Sequence, residues 1–418
     1  MNTMAVDRES LMARAWSIPI EEFDISNWAL MENDVIWPYF ERLRKESPIH
    51  YHADSRYGPF WSVTRFNDIK YIDQNHKLFS SAGSIGIEDQ PVDFETPMFI
   101  AMDQPVHDAQ RKTVTPVVAP RNLAELEPLI RSRVETILDS LPIGETFNWV
   151  DRVSIELTTQ MLATLFNFPL EDRHLLTRWS DVATSGKHSG YVNSREEWQQ
   201  ELMNCLSYFT RLWHERADTE GGFDLISMMA HGEDTKDIIN RPQEYLGNLI
   251  LLIVGGNDTT RNSISGGVLA LNKFPDEYQK LRDDMSLIPN MVAEIIRWQT
   301  PLSYMRRTAL EDVSIGGKVI KKGDKVVMWY ASGNRDEEVF ENADRLIIDR
   351  PNARQHVAFG FGIHRCMGNR LAEMQLRVLW EEIQKRFYKV EVVGEPIRNR
   401  ALLVRGYTHL PVQLIPVQ

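Results

Sequence analysis

Cys366 lies in the glycine-rich segment 359–369, and residues 370–387 after it have strong helical character. A cysteine just before a helix is favoured as a thiolate, because the first-turn N–H groups and the helix dipole stabilise negative charge on sulfur. Gly362 and Gly368 allow the backbone to fold tightly around the sulfur. Such a thiolate can ligate iron. An isolated cysteine is more often a small buried hydrophobe, so the residue type alone leaves both interpretations open.

The residues around Cys366 follow a ten-residue pattern, F-x-x-G-x-H-x-C-x-G, from Phe359 to Gly368. This pattern resembles the haem-binding signature of the cytochrome P450 superfamily. The resemblance implies that Cys366 ligates the iron of haem b, with Phe359, His364 and Gly368 at the cofactor. The Gly360-x-Gly362 pair does not indicate a dinucleotide loop, because Arg365 stands where the third glycine would be.

A second motif follows the apolar run 249–254: Gly255-Gly256-Asn257-Asp258-Thr259-Thr260. Two glycines inside a helix cost about 1 kcal/mol each relative to alanine, and a buried acid adds a desolvation penalty. We therefore predict a local opening of the helix, where Thr259 donates a hydrogen bond to dioxygen and Asp258 links it to solvent protons. The alternative is a close helix crossing. The segment resembles the superfamily's oxygen-activation motif, with Gly255 where alanine is usual.

Glu294 and Arg297 form a third motif, an acid and a base three residues apart on one helical face. Such pairs are common on solvated helices and carry little information by themselves. Their position ahead of the cysteine loop resembles the family's E-x-x-R pair, which locks the fold beneath the haem together with a later arginine. We predict Arg345 as that arginine, with Arg350 as the alternative, and a structural role for all of them.

His107 and Arg111 are one helical turn apart, an arrangement that suits a carboxylate ligand because arginine offers a forked set of donors. A pair of this type is more often surface decoration. In the family, the matching residues bind the haem propionates. The resemblance therefore implies a propionate set of His107, Arg111, Arg307 and His364.

Residues 291–301 and 364–375 more narrowly resemble the bacterial terminal alkane and fatty-acid hydroxylases of this superfamily. The resemblance implies hydroxylation of a terminal methyl group on a medium-chain alkane, a fatty acid or a related aliphatic compound. A narrow apolar channel would present the chain end to the iron. Residues that we expect to line it, each of which could equally be core, are Ile85, Gly86, Ile87, Leu251, Leu252, Gly255, Leu302, Met305, Leu402 and Leu403.

Three alternatives stay open: a hydroxylase of another hydrophobic substrate such as a terpenoid, a haem-thiolate sensor or carrier without turnover, and a peroxide-driven haem enzyme. For a monooxygenase, electrons must come from a partner, because the two-cysteine chain has no flavin or iron–sulfur segment. We expect ferredoxin, served by ferredoxin reductase, to dock behind Cys366. The basic residues expected on that face are Lys112, Arg121, Arg354, Arg365, Arg370 and Arg377.

The elements that position these residues are predicted to be mainly α-helical, with small peripheral β-sheets. Apolar spacing is helical over most of 122–271, whereas 49–66 and 313–325 have the pattern of hairpins and 402–417 is extended. Without repeats or linkers, residues 1–418 are expected to form a single domain.

The net charge of −12, without a basic stripe, argues against nucleic-acid binding. The longest uncharged apolar stretch, 245–257, is shorter than the ~20 residues of a membrane span. We therefore expect no membrane anchor. The only cysteines are Cys205 and Cys366, and this usage fits the reducing cytoplasm.

Overall fold

The computed structural model describes residues 8–184, 190–219 and 221–417. Over these ranges the chain is mainly helical with small sheets, which confirms the predicted fold class. The α-helices are α1 (Arg8–Ser17), α2 (Trp28–Glu32), α3 (Trp37–Glu46), α4 (Phe66–Gln74), α5 (Val106–Val114), α6 (Pro120–Asp139), α7 (Glu156–Phe166), α8 (His174–Thr184), α9 (Arg195–Ala217), α10 (Leu225–His231), α11 (Pro242–Lys273), α12 (Pro275–Asp283), α13 (Ile288–Gln299), α14 (Tyr330–Gly333) and α15 (Asn369–Arg386).

The strands are short, with at most 6 residues each. They are β1 (Ile49–His52), β2 (Phe60–Val63), β3 (Phe79–Ser80), β4 (Phe147–Asn148), β5 (Met305–Ala309), β6 (Val313–Ile315), β7 (Lys318–Ile320), β8 (Lys325–Met328), β9 (Phe387–Val392), β10 (Ile397–Arg398), β11 (Tyr407–His409) and β12 (Pro411–Pro416). The largest sheet has the order β1-β2-β8-β5-β3. It carries Arg307 on β5, so it brings one predicted propionate residue to the site.

Both predicted hairpins form. β1 and β2 pair antiparallel, with Ile49 opposite Val63. β6 and β7 pair through Gly316 and Gly317, whose φ angles of +57° and +74° require the conformational freedom of glycine. The second hairpin is shorter than predicted, because Lys325 already starts β8, which pairs with β2 and β5 instead.

Helix α11 is the centre of the fold and contacts α7, α8, α13 and α15. It spans 32 residues without a break, or about 48 Å at 1.5 Å per residue. A helix that is apolar around most of its circumference must be buried, and most of α11 is. Its close approach to α13 depends on Gly267, where a Cβ atom would lie 2.9 Å from Ile295 Cδ1.

Hydrophobic packing is divided among three clusters. The largest surrounds α11 and includes the fully buried Trp149 and Trp380. A second lies under the N-terminal helices around Trp329, and a third lies under the five-stranded sheet around Phe340. None of the described helices is both long enough and apolar enough to cross a membrane.

Candidate active site

The segment before Cys366 is a tight loop closed by the backbone. The Cys366 N–H donates to the Phe359 carbonyl at 2.8 Å, and Gly360 and Gly362 have φ angles of +64° and +68°. A Cβ atom on Gly362 would also collide with the backbone of Asp73. Gly368 has an ordinary φ of −87° and caps the start of α15. The loop thus needs glycine at 360 and 362 for its conformation, whereas Gly368 needs no such freedom.

Cys366 retains exposed surface, which borders an internal cavity and a groove lined by Lys112 and Arg370. Burial raises the pKa of the Cys366 thiol, although the N–H groups of Gly368 and Asn369 and the charge of Arg111 oppose this rise. The predicted donors are therefore in place, but burial outweighs them. On ligating an iron, Cys366 would release its thiol proton and bind as the thiolate.

His107, Arg111, Arg307 and His364 converge beside Cys366, although they come from three separate parts of the chain. The rings of His107 and His364 are 4.1 Å apart, centroid to centroid. His107 Nε2 and both ring nitrogens of His364 are buried without a hydrogen-bond partner in the described chain. Burial, together with the nearby Arg307, lowers the pKa of His364 to about 2.

Buried polar atoms normally have partners, so these histidine nitrogens indicate that a ligand completes the cluster. Two arginines and two histidines call for an anionic ligand. A haem with its thiolate-ligated iron and two propionates meets both requirements. Cys366 would hold its iron, Phe359 and Gly368 line the same cavity, and the four basic residues would hold its carboxylates.

The cavity has a volume of about 460 Å³, and its surface is mostly apolar. It extends from Cys366 to the walls formed by α7, α8, α9 and the segment 84–101. The lining residues that the sequence analysis named are Ile85, Leu251, Leu252, Gly255, Leu302, Met305 and Leu403. Others come from elements that sequence analysis did not associate with the cavity, among them Phe94, Leu165, Ala183, Thr184, Trp198 and Leu202.

The assignment of Ile87 to the cavity wall was wrong, and so was that of Leu402. Both are buried in the N-terminal core beside Tyr304 and Trp329. The backbone N–H of Ile87 donates to the Tyr304 hydroxyl at 3.2 Å, which holds this residue towards that core. Ile85, which was predicted together with Gly86 and Ile87, does line the cavity, whereas Gly86 does not.

At the oxygen-activation motif the predicted opening of the helix does not occur, since α11 is continuous through residues 255–260. Room for a ligand comes instead from the missing side chain of Gly255, where an added Cβ would meet nothing within 4 Å. Gly256 instead permits a close helix crossing, the alternative given in the sequence analysis, because a Cβ atom there would lie 2.8 Å from Leu162 of α7. Thr259 lines the cavity and donates to the Gly255 carbonyl at 3.0 Å.

Asp258, in contrast, is fully buried and points away from the cavity. Its Oδ1 lies 2.7 Å from Arg261 Nη2, and its Oδ2 accepts a hydrogen bond of 3.3 Å from Thr184. Arg261 also pairs with Asp181 of α8 at 2.5 Å. Burial, with Asp258 nearby, raises the pKa of Asp181 to about 6 even though Arg261 opposes the rise. The predicted contact between Asp258 and solvent is absent from this conformation.

Glu294 and Arg297 form a fully buried ion pair on α13, with Arg297 Nε 2.7 Å from Glu294 Oε2. Arg350 completes the network, because its Nε lies 3.0 Å from Glu294 Oε1. The prediction of Arg345 was therefore wrong. Its carbonyl accepts from Arg297 Nη2 at 2.8 Å, but its guanidinium lies over the ring of Phe274.

Asp73 is a polar residue of the site that sequence analysis missed. It lies on α4, is 3% exposed, and accepts hydrogen bonds from Arg307, Tyr330 and the backbone N–H of Phe361. A weak signal for it exists, since Asp73 follows Ile69 by four residues and so falls on the buried face of α4.

The surface behind Cys366 contains a groove bordered by Arg111, Lys112 and Arg370. Lys112, Arg365 and Arg370 have no acidic side chain within 4.0 Å among residues 8–184, 190–219 and 221–417. The other predicted basic residues have acidic partners: Arg121 pairs with Glu125, Arg354 with Glu373, and Arg377 with Glu127 and Glu381.

Comparisons with known proteins agree with this geometry. The sequence model of the family "Cytochrome P450" matches residues 191–402. Linalool 8-monooxygenase from Pseudomonas putida is 36% identical over 95% of this chain and 100% of that protein. Methyl-branched lipid omega-hydroxylase from Mycobacterium tuberculosis is 31% identical over 94% of this chain and 95% of its own length.

Among solved structures, CYP153D17 from Sphingomonas sp. PAMC 26605 superimposes with a TM-score of 0.89 at 49% identity. The match covers 95% of this chain and 100% of that one. With the thiol loop, the basic cluster and the buried E-x-x-R pair in one arrangement, the chain belongs to the cytochrome P450 family of haem-iron monooxygenases.

Proposed function

We propose that this chain is a cytoplasmic haem b monooxygenase that hydroxylates the terminal methyl group of a medium-chain alkane, a fatty acid or a related aliphatic compound. The observation that carries the proposal is the apolar cavity, which is bordered by Cys366 at one end and by Thr259 along its wall. When bound there, the haem supplies activation of O2 and insertion of one oxygen atom into a C–H bond. We treat residues 1–418 as one domain, because motifs from His107 to Cys366 converge on this cavity.

The cavity walls would bind the substrate by removing its chain from water. Each buried CH₂ group contributes about 0.8 kcal/mol, so a linear chain gains affinity with every carbon that fits. Selectivity for the methyl end requires that the more reactive internal methylenes are held away from the reacting centre. Leu251, Leu302 and Leu403 border the cavity and would restrict sideways movement of the chain.

Thr259 would hold a proton at Oγ1 on the cavity side of α11. The Thr259 hydroxyl donates to the Gly255 carbonyl, next to the open space beside Gly255. Rotation of the Thr259 side chain about χ1 would direct this hydrogen bond to a small ligand in that space. For Asp258 to supply protons, Arg261 must first release its carboxylate. Thr184 already joins Asp258 to the cavity wall.

Electrons would come from ferredoxin, docked on the groove behind Cys366. Lys112 and Arg370 border this groove, and Arg365 lies in the adjacent loop. None of the three has an acidic side chain within 4.0 Å in the described ranges, so their charge is available to an acidic protein. Reduction by ferredoxin should therefore slow as ionic strength rises. A rate independent of salt would argue against an acidic partner at this groove.

The test of substrate class is a spectral titration of the holoenzyme with alkanes and fatty acids of graded length, followed by product analysis. We expect affinity to rise with chain length up to a limit set by the cavity, and the main product to be the terminal alcohol. Oxygen insertion mainly at internal carbons would overturn the proposed position of attack. Failure of every aliphatic compound to bind would overturn the substrate class.

A second candidate is a terpenoid hydroxylase, which is favoured by the likeness to linalool 8-monooxygenase. Adding linalool to the same titration distinguishes the two candidates, because a terpenoid enzyme would bind and oxidise it in preference to linear chains. A sensor or carrier would bind ligand without turnover. The position of Thr259 at the cavity argues against that reading, since ligand binding alone has no need of a proton donor.

A further inference from the structure

Asp73 on helix α4 contacts both Arg307 and the loop that precedes Cys366. Asp73 Oδ1 accepts from Arg307 Nη2 at 2.7 Å. Its Oδ2 accepts from the Tyr330 hydroxyl and from the Phe361 N–H, each at 2.8 Å. The side chain is 1% exposed, so all three donors meet the carboxylate away from water.

The contact with Phe361 is reinforced by the backbone. Gly362 packs against the main chain of Asp73 closely enough to exclude any side chain at position 362. Lys70, one turn earlier on α4, lies over the Phe361 ring with its Nζ 4.9 Å from the centroid. The end of α4 therefore supports the loop that leads to Cys366 through side-chain and main-chain contacts together.

The contact with Arg307 fixes the direction of a propionate donor. Arg307 Nη1 donates to the Arg306 carbonyl at 2.9 Å while Nη2 donates to Asp73, so two directions of the guanidinium are fixed. Arg307 also lines the cavity beside His364. A guanidinium held in this way presents its other donors to a carboxylate without losing further rotamer freedom.

We propose that Asp73 is a positioning residue of the haem site. One buried carboxylate couples Arg307, which would bind a propionate, to the loop of Cys366, which would ligate the iron, so that both are placed as a unit. Asp73 also offsets the charge of Arg307, so it lowers the positive potential at the cofactor. This inference rests on the haem assignment in the proposed function and is independent of the substrate.

The test compares Asp73→Asn with a matched change elsewhere. Asparagine keeps the shape but replaces one accepting oxygen with an NH₂ donor, so it cannot satisfy Arg307 and Phe361 together. Asp336→Asn is the control. Asp336 is 2% exposed and accepts from the Phe66 N–H at 2.8 Å at the other end of α4, but it does not line the cavity.

For the Asp73→Asn holoenzyme we expect haem transfer to apomyoglobin to be roughly 10-fold faster or more. Part of the ferrous carbon monoxide complex should lose the strongly red-shifted Soret band. The reduction potential should move to a more positive value, because the charge of Arg307 is no longer offset. Asp336→Asn should lower the Tm without any of these three changes.

Wild-type haem release and potential in Asp73→Asn would overturn the proposal, and so would equal changes in Asp336→Asn. If Asp73→Asn does not accumulate, Tyr330→Phe carries the test, because it removes one donor and keeps the carboxylate. Haem release between the wild-type rate and a 10-fold increase would then support the proposal, and the wild-type rate would overturn it. These readouts need no substrate, so they separate this inference from the proposed reaction.

Discussion

The two sides of the cavity are built on different physical principles. On the thiolate side, which we define as the loop 359–368 with Asp73, Glu294, Arg297 and Arg350, buried charges meet each other through directional contacts of 2.7–3.0 Å. On the substrate side, formed by α7, α8, α9, the segment 84–101 and residues 250–259 of α11, most lining side chains are apolar. The thiolate side therefore fixes positions, whereas the substrate side mainly fixes a volume.

This difference predicts how each side responds to substitution. Removing one partner of a buried ion pair leaves an uncompensated charge and costs about 3–5 kcal/mol. A hydrophobic substitution that conserves volume usually costs less than about 1.5 kcal/mol. The substrate side can therefore change its shape while the thiolate side keeps the cofactor in place.

Replacement of Cys366, the proposed iron ligand, should have the largest effect. Cys366→Ser should abolish the strongly red-shifted Soret band of the ferrous carbon monoxide complex. It should also abolish the monooxygenase activity, because the serine oxygen donates less electron density to iron than a thiolate does. Cys205→Ser is the control, since Cys205 is buried in α9 and does not line the cavity. Retention of the band in Cys366→Ser would remove Cys366 as the ligand.

Loss of the network arginine should have the next largest effect. Arg350→Met should lower the free energy of unfolding by about 3–5 kcal/mol, because it leaves Glu294 with one cation fewer in a fully buried position. Arg345→Met should cost no more than about 1 kcal/mol, since the exposed guanidinium only lies over Phe274. Urea unfolding of both variants checks this difference, and equal losses would contradict the assignment of Arg350.

The E-x-x-R pair could be predicted from its resemblance to the family's motif, but the choice between Arg345 and Arg350 could not. Both arginines lie in an irregular stretch between α14 and α15, where no helical or strand period indicates which side chains turn inward. Asn342 adopts a φ of +49°, and Arg350 Nη2 donates to its carbonyl at 3.2 Å. The path of the backbone at this point decides the partner.

A similar limit applies to the choice between Ile85 and Ile87 and to the partners of Asp73. Ile85 and Ile87 lie in a loop without periodicity, and only the hydrogen bond between Ile87 and Tyr304 shows which residue faces the cavity. The buried face of α4 could be predicted from Ile69 and Ile72, but the donors to Asp73 are more than 230 residues away in sequence. Local patterns predict burial, whereas distant partners depend on the tertiary fold.

Thr259 is the proposed proton donor on the substrate side. With electrons supplied by a ferredoxin system, Thr259→Ala should lower product formed per electron by about 100-fold, because the proton donor at the cavity is lost. Thr260→Ala, a change to the neighbouring buried hydroxyl, should stay near the wild-type value. Unchanged coupling in Thr259→Ala would argue against the proton-relay role. If peroxide supports turnover, product formation by Thr259→Ala should fall less with peroxide than with the ferredoxin system, since peroxide already carries the reduced oxygen.

The smallest functional effect should come from one methyl-bearing side chain of the cavity wall. Ile85→Ala widens the cavity, so the ratio of terminal to internal alcohol should change by about tenfold, as expected for a small change of volume in a hydrophobic pocket. Ile87→Ala removes the same atoms from the N-terminal core, so it should cost about 2–5 kcal/mol of stability and leave the product ratio unchanged. Product analysis and thermal unfolding of both variants measure the two effects. If Ile87→Ala changed the product ratio as much as Ile85→Ala, selectivity would depend on general loosening of the fold, and the substrate side would not act as a separate volume.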